Sequence, residues 1–196
     1  MRVSPLGIFA AGAEREAAIQ WAKDDAALTH PNPVCQGANA VFAASVAFAI
    51  RTGERPLAVY SYALKAAREM PAGTAVMNAL EAAANDRPTD ERGKMGWVLV
   101  ALQNAFWQLI HASSLEDGVT DTVQFGGDTD TNGAIAGALL GAVYGRAAVP
   151  RQWMNRVLAC RPLAGVAGIA HPRRAAFWPV DIPWLAERLL FLGQAA

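Results

Sequence analysis

The chain has 196 residues, 17 of them basic and 17 acidic, and a formal net charge of zero. That length fits one domain, 1–196, and the charge balance makes no electrostatic case for binding nucleic acid or an anionic membrane. Cys35 and Cys160 are single and distant, which argues against a paired zinc or redox motif and fits reduced thiols in a cytoplasmic protein. The N-terminus is a poor signal peptide: a short apolar run with Arg2 gives way to Gly12 and Glu14. The most apolar stretch, Ala134–Val149, is interrupted by glycines and Arg146 and is too short to span a bilayer.

The hydrophobic share is 53%, and glycine adds 17 residues, against a usual total of roughly 45–50% with glycine included. Two accounts of this excess stay open: a very alanine-rich helical protein, or a face that packs on a missing half.

The pattern predicts helices throughout. Glu14–Ala27 repeats Ala18, Trp21 and Ala22 on one stripe. Pro31 and Pro33 are read as stopping it and fixing an extended loop. Ala38–Ile50 is apolar on all sides, as a buried helix should be. Pro56 opens Leu57–Met70, and Gly73–Ala84 follows. Asn85–Arg92 reads as a polar linker with Pro88. Met95–His111 is apolar nearly all round and is expected at the centre. Ser113 or Ser114 can cap Leu115–Phe125. Gly133, Gly137, Gly141 and Gly145 recur every four residues, which predicts a helix face that a neighbour approaches closely. Pro150 suits the first turn of Arg151–Ala159. Arg161–Trp178 reads as irregular, and Asp181 and Pro183 open a last helix through Leu190. No strand and no internal repeat is evident.

Between two of these helices lies Gly126-Gly127-Asp128-Thr129-Asp130-Thr131-Asn132-Gly133. Two carboxylates and neighbouring hydroxyls sit between glycines, with no Lys or Arg close in sequence. Oxygen donors grouped this way suit a hard cation. A helix N-cap would need one Asp or Thr; the second Asp and the double glycine are surplus to it. Asp128 and Asp130 are two apart, so an extended loop would point them to the same side. Three protein oxygens cannot fill an octahedral shell, so water, substrate or further ligands must complete it.

These residues carry a resemblance. Gly-Gly-Asp-Thr-Asp-Thr-Asn-Gly-Ala-Ile-Ala-Gly-Ala resembles the C-terminal metal motif of the ADP-ribosylglycohydrolase family, in particular the dinitrogenase reductase activating group. Met1–Gly7 looks like the family segment that follows an Asn-Gly-Ser-type substrate loop. Leu28-Thr29-His30-Pro31-Asn32-Pro33-Val34-Cys35 is similar to the Thr-His ligand segment, and Gly96–Trp107 to the helix before the metal loop. The resemblance implies an all-α, compact orthogonal helix bundle. It also implies two divalent cations, magnesium or manganese, held by Asp128, Asp130 and Thr131, with Asp128 also catalytic. His30 would contact the pyrophosphate of ADP-ribose. The implied reaction is metal-dependent hydrolysis of the glycosidic bond joining ADP-ribose to a protein side chain or small group. The partner would be an ADP-ribosylated protein or ADP-ribose derivative.

The family also carries an early acidic residue and a Thr-Asp-Asp triplet, and this sequence has neither. Asp24-Asp25 falls in a helical pattern and reads as a solvated face. The expectation is a C-terminal portion of the family domain, lacking the N-terminal half and prone to self-association through uncovered faces of Met95–His111 or Ala38–Ile50. The alternative function is a non-catalytic protein that keeps the fold for ADP-ribose binding, structure or interaction. Trp97 and Trp107 read as core, and His111 and His171 as surface or helix-capping side chains.

Overall fold

Twenty residues rich in alanine, valine and phenylalanine form the axis of the molecule. In the computed structural model, which describes residues 2–70, 73–89 and 96–194, this axis is α3 (Pro33–Thr52). Around it lie α1 (Ser4–Phe9), α2 (Arg15–Ala27), α4 (Pro56–Arg68), α5 (Gly73–Asn85), α6 (Val98–His111) and α8 (Thr129–Tyr144). The last of the bundle, α7 (Leu115–Phe125), packs on α8 and α6. Two further helices follow, α9 (Arg151–Leu158) and α10 (Ile182–Gly193). No strand occurs among the described residues.

Small side chains let these axes approach. Ala38, Ala40, Ala43, Ala44, Ala47 and Ala49 of α3 are all buried, and larger side chains from its neighbours fill the spaces between them: Phe106, Leu109, Leu139 and Leu140. The buried Ser45 hydroxyl donates back to the Val41 carbonyl at 2.7 Å, so it leaves no orphan in the core. By length and composition α3 would cross a bilayer, with a mean hydropathy of 1.5, yet 67% of that window is buried inside the bundle. The alanine-rich account therefore explains the composition: α3 is covered nearly all round, and α6 over most of its length. Among the described residues α3 shows no uncovered apolar face, whereas α6 turns the half-buried Leu99 and Val100 toward an open hollow beside α5. The large exposed apolar side chains cluster later, among them Phe177, Trp184 and Phe191.

The glycine stripe does what its spacing predicts. A Cβ placed on Gly133, Gly137 or Gly141 would meet Val123, Val119 or Leu115 of α7 at 3.5, 3.4 and 3.9 Å, so α7 lies along that face. Gly145 has already left the helix, at φ +76°.

Several boundaries differ from the sequence reading. Pro33 does not interrupt a loop but opens α3: a helix's first position needs no N–H, and Asn32 caps it by accepting from the Val34 amide at 2.8 Å. Helix α6 begins at Val98, with Trp97 outside it; Met95 and residues 90–92 of the expected linker lie outside the described residues. Ser114, rather than Ser113, caps α7 by accepting from the Asp117 amide. Pro150 is the cap of α9 rather than a residue of its first turn.

Candidate functional site

The acidic loop lies where α7 hands the chain to α8. Gly126 and Gly127 take φ of +95° and +71°, a left-handed turn that side chains resist. Asp128 then occupies the N-cap position of α8, at φ −82° and ψ 69°, but its carboxylate makes no capping hydrogen bond. Nor does it form a hydrogen bond or ion pair with any other described residue. The ordinary reason for an Asp at this position, satisfying the first-turn amides, does not apply, and the carboxylate is left half-buried and free.

That carboxylate lines a cavity of about 500 Å³ together with Thr131, Asn132, His30, Thr29 and Asp25. Residues 128, 131 and 132 are three and four apart, so the first turn of α8 presents them on one face. Asp130 is not among the lining residues and is exposed. The expectation that it points with Asp128 assumed an extended loop. Asp130 is instead helical, and a helix turns its side chain about 200° over two residues.

His30 lines the same cavity from the short segment between α2 and α3. Its amide donates to the Ala26 carbonyl at 2.7 Å, which closes the end of α2, and Asn32 then begins α3. The Thr29 hydroxyl lies 2.8 Å from His30 Nδ1. When that hydroxyl donates, the ring proton sits on Nε2, which is left free to donate to a ligand. Cys35, in the first turn of α3, also lines the cavity, and burial pushes its thiol pKa upward, away from thiolate reactivity.

Two cavity residues escaped the sequence reading. Asp25 is not a merely solvated carboxylate: Arg2 Nε donates to it at 3.2 Å, and the same guanidinium caps the Asp25 carbonyl at the end of α2. Trp97 is not core but 36% exposed at the cavity, while Trp107 is packed against the core with its ring tilted against that of His111. Arg2 lies 23 residues from Asp25, and no local pattern announces such a pair. A larger hollow of about 880 Å³ between α5 and α6 has no acidic or histidine side chain in its described lining.

The cavity donors fit a hard divalent cation in chemistry: the Asp128 carboxylate and the Thr131 hydroxyl, both oxygen, with Asn132 beside them. The amide dipole at a helix N-terminus opposes a cation, and the Asp128 carboxylate at the N-cap supplies charge that offsets it. The described residues hold no group of three His, Cys, Asp or Glu able to share one ion.

Comparison with known proteins shows the family. The ADP-ribosylglycohydrolase family model matches residues 1–178. An ADP-ribosylarginine hydrolase, Tri1, from Serratia proteamaculans is 26% identical over 82 residues, 42% of this chain and 22% of that protein. Tri1 of Pseudomonas putida is 29% identical over 68 residues, 35% of this chain and 18% of that protein. The matched segments thus span about a fifth of the length of these relatives.

Proposed function

Since the chain belongs to the ADP-ribosylglycohydrolase family, we propose that its cavity binds ADP-ribose attached to a protein side chain or small group and serves hydrolysis of the glycosidic bond. The observation that carries this reading is the Asp128 carboxylate, which lines the same cavity as His30 and neither caps α8 nor pairs with another described residue.

Asp128 and Thr131 would hold a divalent cation, magnesium or manganese, with Asp130 outside the cavity. When bound, such ions hold sugar hydroxyls and acidify a coordinated water. The residues of this chain prepare that chemistry. The bond at the anomeric carbon breaks through a cationic, oxocarbenium-like state, and the Asp128 carboxylate puts negative charge at the cavity wall where that state would form. Thr29 fixes the ring of His30 so that Nε2 can donate to a pyrophosphate oxygen. The indole of Trp97 and the Ala101 and Ile135 side chains form the apolar part of the wall. Substrates named for the relatives suggest a guanidinium-linked ADP-ribose as the first to try.

A second reading, binding without turnover, is favoured by the small ligand set: a two-ion centre needs more acidic oxygens than the described residues bring together. One experiment separates the two. Manganese and ADP-ribose affinities are measured by calorimetry, and hydrolysis of ADP-ribosylated arginine and serine peptides is followed with either metal. Metal-dependent turnover that Asp128→Asn abolishes supports the enzyme. ADP-ribose binding without turnover supports the second reading, and absence of both overturns the assignment of the cavity.

A further inference from the structure

We propose that Arg87 is a positioning residue for the acidic loop, tying the connection after α5 to the end of α7 and so fixing where Asp128 enters the cavity. The inference rests on the metal reading of that loop.

The loop itself has little to hold it. Gly126 and Gly127 carry no side chains, and a Cβ on Gly126 would find nothing within 4 Å. The position of Asp128 is therefore set by the two helices it joins. Helix α8 is anchored by Ile135, Ala136, Leu139 and Leu140 in the core. The end of α7 has no comparable apolar anchor: Val123 is 49% exposed and Phe125 half-buried.

Polar contacts take over there. The Arg87 guanidinium forms an ion pair with Asp121, which also accepts from Gln108 Nε2 of α6 at 2.6 Å. Arg87 Cζ lies 5.2 Å from the ring centroid of Phe125, the last residue of α7 and the neighbour of Gly126. One turn back, Asn104 of α6 donates to Thr122 at 3.0 Å, and Thr122 donates to the Gly118 carbonyl, both buried between α6 and α7. Arg87 is itself held in place. Pro88 beside it is fully buried, and Gln103 Nε2 donates to the Asp86 carbonyl at 3.0 Å.

A lone ion pair at this exposure would contribute little. Here one guanidinium meets both a carboxylate and an aromatic face, a planar arrangement that lysine cannot reproduce. Burial alone would push the Asp121 pKa up, but its hydrogen bonds to Arg87 and Gln108 outweigh that and hold it below the usual carboxylate value.

The test uses Arg87→Met, Arg87→Lys and Asp121→Asn in the full chain, with Arg161→Met as a control remote from the loop. Manganese affinity is measured by calorimetry, and amide hydrogen exchange is followed by mass spectrometry. Arg87→Met and Asp121→Asn should each weaken manganese binding about tenfold, the lower end of outer-shell effects. The double variant should lose no more than either single one, and Arg87→Lys should recover part of the loss. Exchange across residues 125–132 should quicken at least about tenfold while α3 keeps its protection, an effect that global destabilisation would not confine. If the parent chain binds no manganese, the metal reading fails, and exchange alone then decides the positioning role. Unchanged exchange and unchanged affinity in Arg87→Met would overturn it.

Discussion

Residues 2–149 and residues 150–194 bury their apolar side chains very differently. In the first region Phe106, Leu80, Leu109, Leu139 and Leu140 are fully buried, and alanine spaces the helices around them. In the second, Phe177 is 67% exposed and Phe191 71%, although the residue types are just as apolar. Helix α9 has no buried residue, and α10 has Gly193 alone. That glycine shows how the second region is attached: its backbone lies against Phe9 and Gly12 of the first, so close that a Cβ would fall 1.7 Å from the Phe9 carbonyl oxygen. Hydrophobic composition thus does not measure burial. Complementary neighbours do, and only the bundle supplies them throughout. The candidate site lies wholly within the bundle.

The contrast can be broken most directly in the core. Phe106→Ala should cost about 3–5 kcal/mol in denaturant unfolding, as large-to-small changes at sealed sites do. If it costs less than about 1 kcal/mol, the bundle is looser than its packing implies. Gly118→Val and Gly193→Ala sharpen the comparison. Each introduces an overlap, with Leu140 at 2.6 Å for the first and the Phe9 backbone for the second. Gly118→Val should lower global stability by roughly 1–3 kcal/mol. Gly193→Ala should instead free α10, seen as faster proteolysis near residue 182 with an unchanged main unfolding transition.

At the site, His30→Ala should weaken ADP-ribose binding by about 1–2 kcal/mol, the scale of a hydrogen bond to a charged group. The same titration should show no change for Trp178→Ala, and equal affinity in both variants would make His30 structural. The smallest effect belongs to the exposed region. Trp184→Ala should shift stability by no more than about 0.5 kcal/mol, and a larger loss would mean that α10 is covered in solution. A pH titration adds a signed check on the α6–α7 contact. Because the folded Asp121 pKa lies below its ordinary value of 3.8, its stabilising contribution is present above that value and is lost as pH falls through the folded pKa. Asp121→Asn should therefore flatten the acid limb of stability slightly, and an unchanged limb would remove Asp121 from the contact.

Much of this was legible in the sequence where the signal was local. The four-residue glycine spacing announced the face that α7 covers, and the double glycine before Asp128 announced the turn that frees its carboxylate. Local signals failed where distant partners decide. Helix α1 is six residues long and carries no periodic pattern; it persists because Gly7 lets it sit against α3, where a Cβ would meet Val46 at 2.8 Å. Asp25 looked like a surface carboxylate because Arg2 is remote in sequence. Two-residue spacing in an extended loop would make Asp130 the twin of Asp128, but the helix has already begun at Thr129.

The central place of α3 has a consequence for synthesis. Its twenty largely apolar residues leave the ribosome before two of the helices that cover it, α6 and α8, which end at His111 and Tyr144. At about 5–20 residues per second, the roughly 90 residues between the end of α3 and the end of α8 take on the order of 5–18 s to appear. During that interval the emerging chain displays a segment that membrane-targeting factors and chaperones alike would recognise. Mutations in α6 or α8 that slow closure should therefore lower the yield of folded protein more than their equilibrium stabilities alone would indicate.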